Sequence, residues 1–367
     1  MKKKKFYRVL GIMTGTSMDG IDISYCLTDG LNKFKVFNEK SYNYSTLDQK
    51  IFNQFKVTNK KQTQTIEKLD LKVTNLLIKY LNKFFMEFKI KNKNVDFLSL
   101  SGQTILHIPS EKYTLQLGNS KVISKYFKLD VVSKFRKNDM LLGGQGAPIG
   151  AYFHKYLIKK INLKSAIINL GGVANFSLIH KKKFISSDIG PANAILDDLM
   201  LHFFNKKYDK FGKFASKGCR NNNIIKLYKK NIFFKKKFPK SLDRNNFHYL
   251  FKKLIKLKPY NALNTSLNFT IYSILNLIDN KIFSNINEII FTGGGRKNKY
   301  LLETLKKINK NLKISVIDDY NLDGDLIESQ MFAYIGVRSI KKLILSSRNT
   351  TGVKKSITGG KFYKFIN

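Results

Sequence analysis

The residues best suited to ligand binding lie in glycine-rich turns that follow short apolar runs. The first is Thr14-Gly-Thr-Ser-Met-Asp-Gly20, which stands between two apolar, β-branched segments. Glycine lets a backbone approach a ligand closely, and successive amides beside the hydroxyls of Thr16 and Ser17 can hold phosphate oxygens. No Gly-Lys-Ser/Thr sequence follows, so the turn is not a Walker loop. It predicts a phosphate-binding turn; the alternative is an ordinary hairpin with Asp-Gly at its corner.

The sequence offers few candidate metal ligands. Asp19 and Asp22 could order a magnesium ion through its water shell, because Mg²⁺ rarely takes a full protein cage. The five histidines show no metal-ligand spacing, and Cys26 and Cys219 are the only cysteines. This argues against zinc and leaves the metal ligands unidentified.

A carboxylate that could act as a general base lies in Ser187-Asp-Ile-Gly-Pro-Ala-Asn193. This segment follows the strand-like run 184–186 and precedes an apolar helix. A carboxylate at a strand end facing a cleft is well placed to accept a proton, which predicts Asp188 as a general base. The alternative is that Asp188 only caps the helix that follows.

A third turn, Phe291-Thr-Gly-Gly-Gly-Arg-Lys-Asn298, again joins a strand to a helix. Its glycines, Gly293, Gly294 and Gly295, permit a flat ligand face such as adenosine against the backbone, although such turns are common in α/β proteins. Polar turns around Gln103, Gln145 and Glu328 carry the amide and carboxylate groups typical of sugar recognition.

Composition excludes several classes of protein. The 367 residues are 43% hydrophobic and 13% aromatic, which excludes a disordered chain. With two cysteines a disulfide-built secreted scaffold is excluded and a reducing cytoplasm is expected. No apolar run has the length of a membrane helix. The net charge is +42, yet only seven of the 67 basic residues are arginines. Scattered lysines favour a solvated, compositionally drifted surface over a nucleic-acid footprint.

Apolar, β-branched runs alternate with amphipathic ones, which predicts an α/β protein. The predicted strands are 7–13, 21–27, 34–42, 97–101, 131–135, 166–170, 174–179, 288–292 and 313–317. The predicted helices are 65–88, 149–158, 193–204, 266–278, 299–308 and 328–345.

The chain is predicted to form two domains, 1–140 and 141–367. Each begins with a strand and a glycine turn, the second as Ile167-Ile-Asn-Leu-Gly-Gly-Val-Ala-Asn-Phe176, which suggests an internal duplication or, alternatively, two ordinary hairpins. The lysine-rich segment 206–258 is interpreted as an insertion or a mobile lobe. For the last residues of the chain, the sequence is compatible with packing back on the first domain.

Taken together and in this order, the motifs of the chain resemble one family, the anhydro-N-acetylmuramic acid kinases, which belong to the sugar-kinase, heat-shock-70 and actin-like ATPase superfamily. The matching segments span nearly the whole chain and are Gly11–Gly20, Ser101–His107, Phe135-Arg136 with Asp139, Gly143–Pro148, Asn169–Asn175, Asp188–Pro191, Tyr208–Gly212, Pro239–Ser241, Gly293–Gly295 and Glu328–Ala333.

The resemblance implies two actin-like ATPase (ribonuclease-H-like) domains with a nucleotide cleft between them. It implies an enzyme that uses ATP with Mg²⁺ and water to open 1,6-anhydro-N-acetylmuramic acid and form N-acetylmuramic acid 6-phosphate, a step in cell-wall recycling. The family's catalytic base falls on Asp188. Its ATP-binding residues fall on Gly15, Thr16, Ser17, Met18, Asp19, Gly20, Ile21 and Asp22, with Gly293, Gly294 and Gly295 at the adenosine end. Gln103, Arg136 and Glu328 match positions that would line the sugar pocket.

The chain departs from the family pattern at several positions. Ser101 stands where the family usually has His, and Ile189 and Ala192 replace Thr and Gly of Thr-Gly-Pro-Gly-Asn. Pro-Lys-Ser normally continues Thr-Gly-Arg-Glu, but here Leu242-Asp-Arg-Asn245 follows. The hydroxyl lost at Ile189 and the Cβ gained at Ala192 are expected to affect rate and affinity more than reaction type.

Two other functions compete with a sugar kinase. One is an actin-like or chaperone-like ATPase that binds nucleotide without phosphorylating a metabolite, against which the sugar-type polar turns argue. Within that class, an actin-like ATPase of the same fold with weakened or lost sugar kinase activity is the alternative that a drifting sequence leaves open. The other is a nucleic-acid-binding protein, against which the scarcity of arginine argues. The expected partners are ATP and the anhydro sugar, with no nucleic acid and no membrane. The sequence permits a homodimer without indicating one.

Overall fold

A computed structural model describes residues 4–15, 18–54, 57, 60–108 and 111–366. The chain forms two units, the first made of Met1–Tyr156, Asp325–Arg348 and Gly352–Asn367 and the second of Leu157–Gly324 and Asn349–Thr351. The first unit therefore extends beyond residue 140, the boundary expected from the sequence, and most of the C-terminal segment belongs to it.

The strands are β1 (Tyr7–Thr14), β2 (Gly20–Thr28), β3 (Phe34–Asn43), β4 (Phe97–Leu100), β5 (Gln103–Ile108), β6 (Tyr113–Leu117), β7 (Asp130–Ser133), β8 (Ser165–Leu170), β9 (Val173–His180), β10 (Lys183–Pro191), β11 (Glu288–Thr292), β12 (Lys313–Val316) and β13 (Lys361–Tyr363). The helices are α1 (Thr46–Gln54), α2 (Thr63–Glu87), α3 (Ser120–Phe127), α4 (Lys137–Leu141), α5 (Ala151–Ile161), α6 (Asn193–Phe204), α7 (Asn222–Lys229), α8 (Phe251–Leu254), α9 (Pro259–Ile278), α10 (Lys299–Ile308) and α11 (Ile327–Ile340).

Each unit is built around one mixed sheet. The sheet order is β13-β7-β4-β1-β2-β3 in the first unit and β10-β9-β8-β11-β12 in the second. In both sheets, three consecutive strands of the chain pair antiparallel, and the first of the three also pairs parallel with a later strand. β1 pairs antiparallel with β2 and parallel with β4, and β8 pairs antiparallel with β9 and parallel with β11. The same five-strand order in both units agrees with an internal duplication. The two mixed sheets and their helices confirm the predicted α/β class. The shared strand order is that of a ribonuclease-H-like domain.

The apolar runs became the central strands because their side chains are buried on both faces. In β1, Val9, Leu10 and Ile12 have no exposed surface, and in β8 the same holds for Ala166, Ile167 and Ile168. These strands end at the glycine turns, so the packed sheets fix where the candidate site residues begin. None of the described helices has the length and apolarity needed to cross a membrane.

The segment 206–258 contributes to the hydrophobic core of the second unit. Tyr228, Leu250 and Leu254 have no exposed surface and belong to the same cluster as Phe176 of β9 and Phe291 of β11. The segment contains α7, α8 and several 3₁₀ turns. It is therefore part of the scaffold that holds the site in this unit.

Gly11 of β1 lies directly against the backbone of α11, which allows that helix to pack onto the sheet. A methyl group at Gly11 would overlap the carbonyl oxygen of Ser329 and lie 2.5 Å from the amide nitrogen of Ala333. Because both are backbone atoms of a helix, neither can move alone. The close approach therefore requires glycine at this position.

Gly11→Ala is expected to lower the free energy of unfolding by about 2 kcal/mol or more, since overpacking against backbone forces the helix away from the sheet. Urea denaturation followed by circular dichroism measures the change. Gly172→Ala is the control, because its methyl group would meet only Cβ of Ala194 at an ordinary 3.5 Å. Equal stability of the two variants would contradict the expectation.

Candidate active site

The predicted phosphate turn joins β1 to β2 and is held by residues that follow β4. The amide of Met18 and Nε2 of Gln103 both donate to the carbonyl oxygen of Gly15, at 3.2 and 3.0 Å. The amide of Thr14 donates to Oγ of Ser101 at 3.1 Å, so the serine found in place of the family's histidine supports the turn. Thr16 and Ser17 lie outside the described residues. The first end of the turn, Thr14-Gly15, is thus held from outside the hairpin by Ser101 and Gln103.

The end of the turn and the start of β2 carry the two candidate magnesium carboxylates. Burial raises the pKa of Asp22 to about 6, and the charges of Glu328, Asp325 and Asp19 add to the rise, while a hydrogen bond from Ser41 opposes it. This accumulation of negative charge would be relieved by a bound cation. Gly20 begins β2, and Ile21 beside it is fully buried.

Arg136 and Glu328 interact in the first unit, in which Gln103 also lies. The half-buried guanidinium of Arg136 donates from Nη1 to the carbonyl oxygen of Gly146 at 2.6 Å. Burial lowers its pKa, and the charges of Glu328 and Asp139 oppose that change. Burial likewise raises the pKa of Glu328, against the opposing charge of Arg136. Both ionisable side chains have thus lost much of their water, as expected of residues that face a polar ligand.

Gln103 differs from this pair because its side chain has no exposed surface. Its Nε2 is bonded to Gly15, and its Oε1 is buried without a hydrogen-bond partner in the part of the chain that the structure describes. The structure therefore connects Gln103 to the phosphate turn.

The three-glycine turn in the second unit borders a pocket of about 760 Å³. Its lining includes Gly294, Gly295, Asn193, Asp197, Tyr208 and Phe211. Aromatic rings and a polar amide beside bare backbone are features that suit a nucleoside. Burial raises the pKa of Asp197 to about 7, with further increases from Asp198 and Asp209 and a decrease from Arg244. Gly293, the first glycine, has a φ of 75° and precedes the pocket.

Phe211 was not among the sequence candidates, although the Tyr208–Gly212 motif contained it. The backbone at Phe211 adopts a φ of 62°, which is unusual for a non-glycine residue and turns this loop toward the pocket. The available signal was the motif alone, because periodicity says nothing about an irregular loop.

Asp188 lies on β10 beside a β-bulge, where the pairing with β9 shifts between Asp188 and Gly190. A bulge re-aims side chains, which are otherwise alternately placed along a strand. The Asp188 side chain is held by the segment that follows Pro239: its Oδ2 accepts from the amide of Leu242 at 2.8 Å and from Oγ of Ser241 at 3.4 Å. Within the described part of the chain, Oδ1 has no hydrogen-bond partner. One oxygen is therefore fixed while the other is left to accept.

The carboxylate of Asp188 does not cap the helix that follows. α6 begins at Asn193, its N-cap is Ala192, and no side chain accepts a hydrogen bond there. Asp188 is 7% exposed, and burial raises its pKa to about 7 despite the hydrogen bonds from Leu242 and Ser241, which lower it. A carboxyl group that titrates near neutral pH in its folded environment has the properties of a general base.

The departures from the family pattern have a structural setting in this unit. Ile189, the residue inside the bulge, is 2% exposed and packs in the hydrophobic core, so a hydroxyl at this position would lie in the core. Leu242 contributes its backbone amide to Asp188 and buries its side chain in the same core. The contact with Asp188 needs no particular side chain at 242, which explains how the replacement of threonine is tolerated.

Comparison with known proteins identifies the family of the chain. A family model described as Anhydro-N-acetylmuramic acid kinase matches residues 7–364. Proteins of that name from Pelagibacter ubique and Zymomonas mobilis are 37% and 31% identical to this chain, covering 98% and 96% of it and 99% of each relative. Among solved structures, (R)-2-hydroxyglutaryl-CoA dehydratase component A from Acidaminococcus fermentans has a TM-score of 0.42 at 12% identity, over 91% of this chain and 99% of that one. On the match to the family model and to full-length relatives, the chain belongs to the anhydro-N-acetylmuramic acid kinase family.

Proposed function

We propose that this protein is a cytoplasmic, ATP-dependent kinase that opens the 1,6-anhydro ring of 1,6-anhydro-N-acetylmuramic acid with water and phosphorylates the sugar at O6. The product is N-acetylmuramic acid 6-phosphate, which would return cell-wall material to amino-sugar catabolism. The observation that supports this most is Asp188, a buried carboxylate with one oxygen fixed and the other without a partner in the described chain, in a member of this kinase family.

The chemistry of the substrate explains why a base is needed. C1 and O6 are bridged, so O6 carries no proton and cannot act as an ordinary acceptor hydroxyl. Water adds to C1, Asp188 accepts a proton from that water, and the C1–O6 bond breaks with its electron pair on O6. O6 then attacks the γ-phosphorus and ADP leaves, so each turnover consumes one water and releases one proton.

Two glycine-rich turns are candidates for nucleotide binding. We assign the phosphates of the nucleotide to Gly15, Thr16, Ser17, Met18, Asp19, Gly20, Ile21 and Asp22. We assign its adenosine end to the pocket beside Gly293, Gly294 and Gly295, with Phe211 as an aromatic surface for the base. Backbone amides at such turns stabilise the charge on a transferring phosphoryl group.

Magnesium fits the residues of the first unit. Asp19 and Asp22 offer hard oxygen donors, and burial together with the neighbouring carboxylates raises the pKa of Asp22. The described chain has no cluster of three or more side chains that could cage a metal, which suits an ion held mainly by phosphates and water. When bound, Mg²⁺ would neutralise phosphate charge; Asp19 and Asp22 would orient its water ligands.

Sugar recognition is assigned to the first unit, through Arg136 and Glu328. Their opposite charges, with reduced access to water, can donate to and accept from the oxygens of the sugar. Gln103 would contribute to sugar binding through its hydrogen bond to Gly15, which connects the Gln103 side chain to the phosphate turn.

The direct test incubates the full-length protein with ATP, Mg²⁺ and 1,6-anhydro-N-acetylmuramic acid and identifies the products by mass. The expected sugar product is heavier than the substrate by one water and one phosphoryl group. ATP hydrolysis without a sugar phosphate would instead support an ATPase of this fold that has lost sugar kinase activity.

Gly294→Val is expected to raise the KM for ATP about tenfold or more, because its side chain would occupy the pocket assigned to adenosine. A Cβ at Gly294 would meet no atom within 4 Å, and its backbone does not need glycine. The fold should therefore be unaffected, and thermal unfolding serves as the control. A folded variant with wild-type affinity for ATP would place the adenosine elsewhere.

A further inference from the structure

We propose that Lys240 is a positioning residue for Asp188: its side chain anchors the Lys240–Leu242 segment, and that segment holds the carboxylate in place. The proposal rests on the function proposed above, which makes Asp188 the base.

The backbone of Lys240 is joined to β10 by three hydrogen bonds. Its amide donates to Oγ of Ser187 at 2.7 Å, and Oγ of Ser187 donates to its carbonyl oxygen at 2.8 Å. The amide of Asp188 donates to the same carbonyl oxygen at 3.0 Å. Two residues further along, the amide of Leu242 reaches Oδ2 of Asp188. The segment thus lies beside β10, and the amide of Leu242 at its end reaches the carboxylate.

The side chain of Lys240 fixes the other side of this segment. Its Nζ donates to the carbonyl oxygen of Phe233 at 2.9 Å. The same ammonium lies 4.3 Å from the ring centre of Phe233, 4.9 Å from that of Phe238 and 5.8 Å from that of Phe234. Aromatic faces attract a cation, and the attraction is larger where water is reduced. Lys240 is half-buried, unlike its exposed neighbours Lys236 and Lys237.

The ammonium of Lys240 makes no ion pair in the described part of the chain. Burial and the nearby charge of Lys236 lower its pKa to about 8. Keeping a lysine in partly desolvated, aromatic surroundings without a carboxylate partner costs free energy. A chain with so many lysines at exposed positions did not need to place one here. The arrangement is explained if the side chain serves to hold the Lys240–Leu242 segment in place.

The effect on Asp188 would pass through the backbone. Burial raises the pKa of Asp188, while hydrogen bonds from Leu242 and Ser241 lower it; the charge of Lys240 is not among the causes. Loosening the segment should weaken the hydrogen bond from Leu242, so the pKa of Asp188 should rise further. A charge effect and a positioning effect can therefore be told apart.

The test titrates full-length protein labelled with ¹³C at the aspartate carboxyl carbons by NMR, with Asp188→Asn identifying the Asp188 resonance. In Lys240→Ala the pKa of Asp188 is expected to rise by about one unit. The kcat should then fall about fivefold at pH 7 and recover at pH 9, since the base is deprotonated there again.

Lys240→Arg keeps a cation over the rings and should titrate like the wild type. Lys237→Ala removes an exposed neighbouring lysine and is the control. An unchanged Asp188 pKa in folded Lys240→Ala, or an equal shift in Lys237→Ala, would overturn the proposal. Should Lys240→Ala not fold, Lys240→Met, which keeps most of the aliphatic stem, should show the same upward shift.

The titration requires no turnover. A wild-type protein that makes no sugar phosphate would refute the proposed function, whereas an unmoved Asp188 resonance in an active Lys240→Ala would refute only the positioning role.

Discussion

Asp188→Asn is expected to lower kcat by about 10²-fold or more while the affinity for ATP changes little. Asparagine keeps the size of the side chain and can still accept the hydrogen bond from Leu242 at the oxygen that is now 2.8 Å from that amide. It cannot accept a proton from water. Steady-state kinetics with the anhydro sugar measures kcat, and ATP binding is measured separately by calorimetry.

The control for this variant is Asp198→Asn, which removes a carboxylate of the same unit. Asp198 pairs with Arg244 at 2.7 Å on the surface and should change kcat by less than about twofold. Near-native turnover in Asp188→Asn would show that the base lies elsewhere.

In the wild type, kcat/KM should fall about tenfold per pH unit below pH 7, because the pKa of Asp188 is raised to about 7 and only the deprotonated carboxylate accepts a proton.

The same substitution should stabilise the fold at neutral and alkaline pH. The pKa of Asp188 is raised from 3.8 to about 7, so the folded state binds its proton more tightly than the unfolded state does. Stability is therefore lost as the pH rises from 4 to 7, by on the order of 4 kcal/mol if the whole shift is expressed. Asparagine removes this cost. Its advantage in thermal unfolding should be small at pH 4 and largest at pH 8.

The central strands were predictable from sequence because they are buried on both faces. All nine predicted strands occur, each within two residues or so of its expected ends. β5 and β6 were missed, since most of their residues are only partly buried and lack a continuous apolar run. β13, with three residues, offers no periodicity at all. Hydrophobic patterning in a sequence indicates strands that are buried, and β5, β6 and β13 are not fully buried.

All six predicted helices occur, and they differ in how well their ends were predicted. α6 and α10 occupy the ranges 193–204 and 299–308, as expected, but α9 begins at Pro259 rather than near 266. Proline is favoured in the first turn of a helix, and this signal was available in the sequence. α11 ends at Ile340, five residues earlier than expected, where no glycine or proline marks the end.

The environment of Asp188 could not have been derived from local sequence. Its partner Leu242 lies 54 residues away, in the segment 206–258 whose composition suggested an insertion. Contacts over such a distance depend on tertiary packing, which neither periodicity nor turn chemistry encodes. The order of motifs in the family identified both segments, but only the folded chain shows that the amide of Leu242, and not its side chain, makes the contact.

Arg136→Met is expected to raise the KM for the anhydro sugar about 10²-fold and to leave the KM for ATP within about twofold. Methionine has a similar length but no charge. The carbonyl oxygen of Gly146 would lose its 2.6 Å donor, and Glu328 would lose the positive charge that now lowers its pKa. Lys137→Met is the control, since it removes an exposed cation at the adjacent position.

A double-mutant cycle with Glu328→Gln tests whether the two charges act together on the sugar. If they do, removing Glu328 should lower kcat/KM less once Arg136 is gone. In the Arg136 variant Glu328 is left without its opposite charge in a place of reduced access to water, and the second substitution removes that unfavourable charge. The loss in kcat/KM of the double variant should then be about tenfold smaller than the product of the single losses. Independent effects would mean that Arg136 and Glu328 serve different parts of the substrate. A sugar KM near the wild-type value in folded Arg136→Met would remove Arg136 from recognition and leave it only the support of the loop at Gly146.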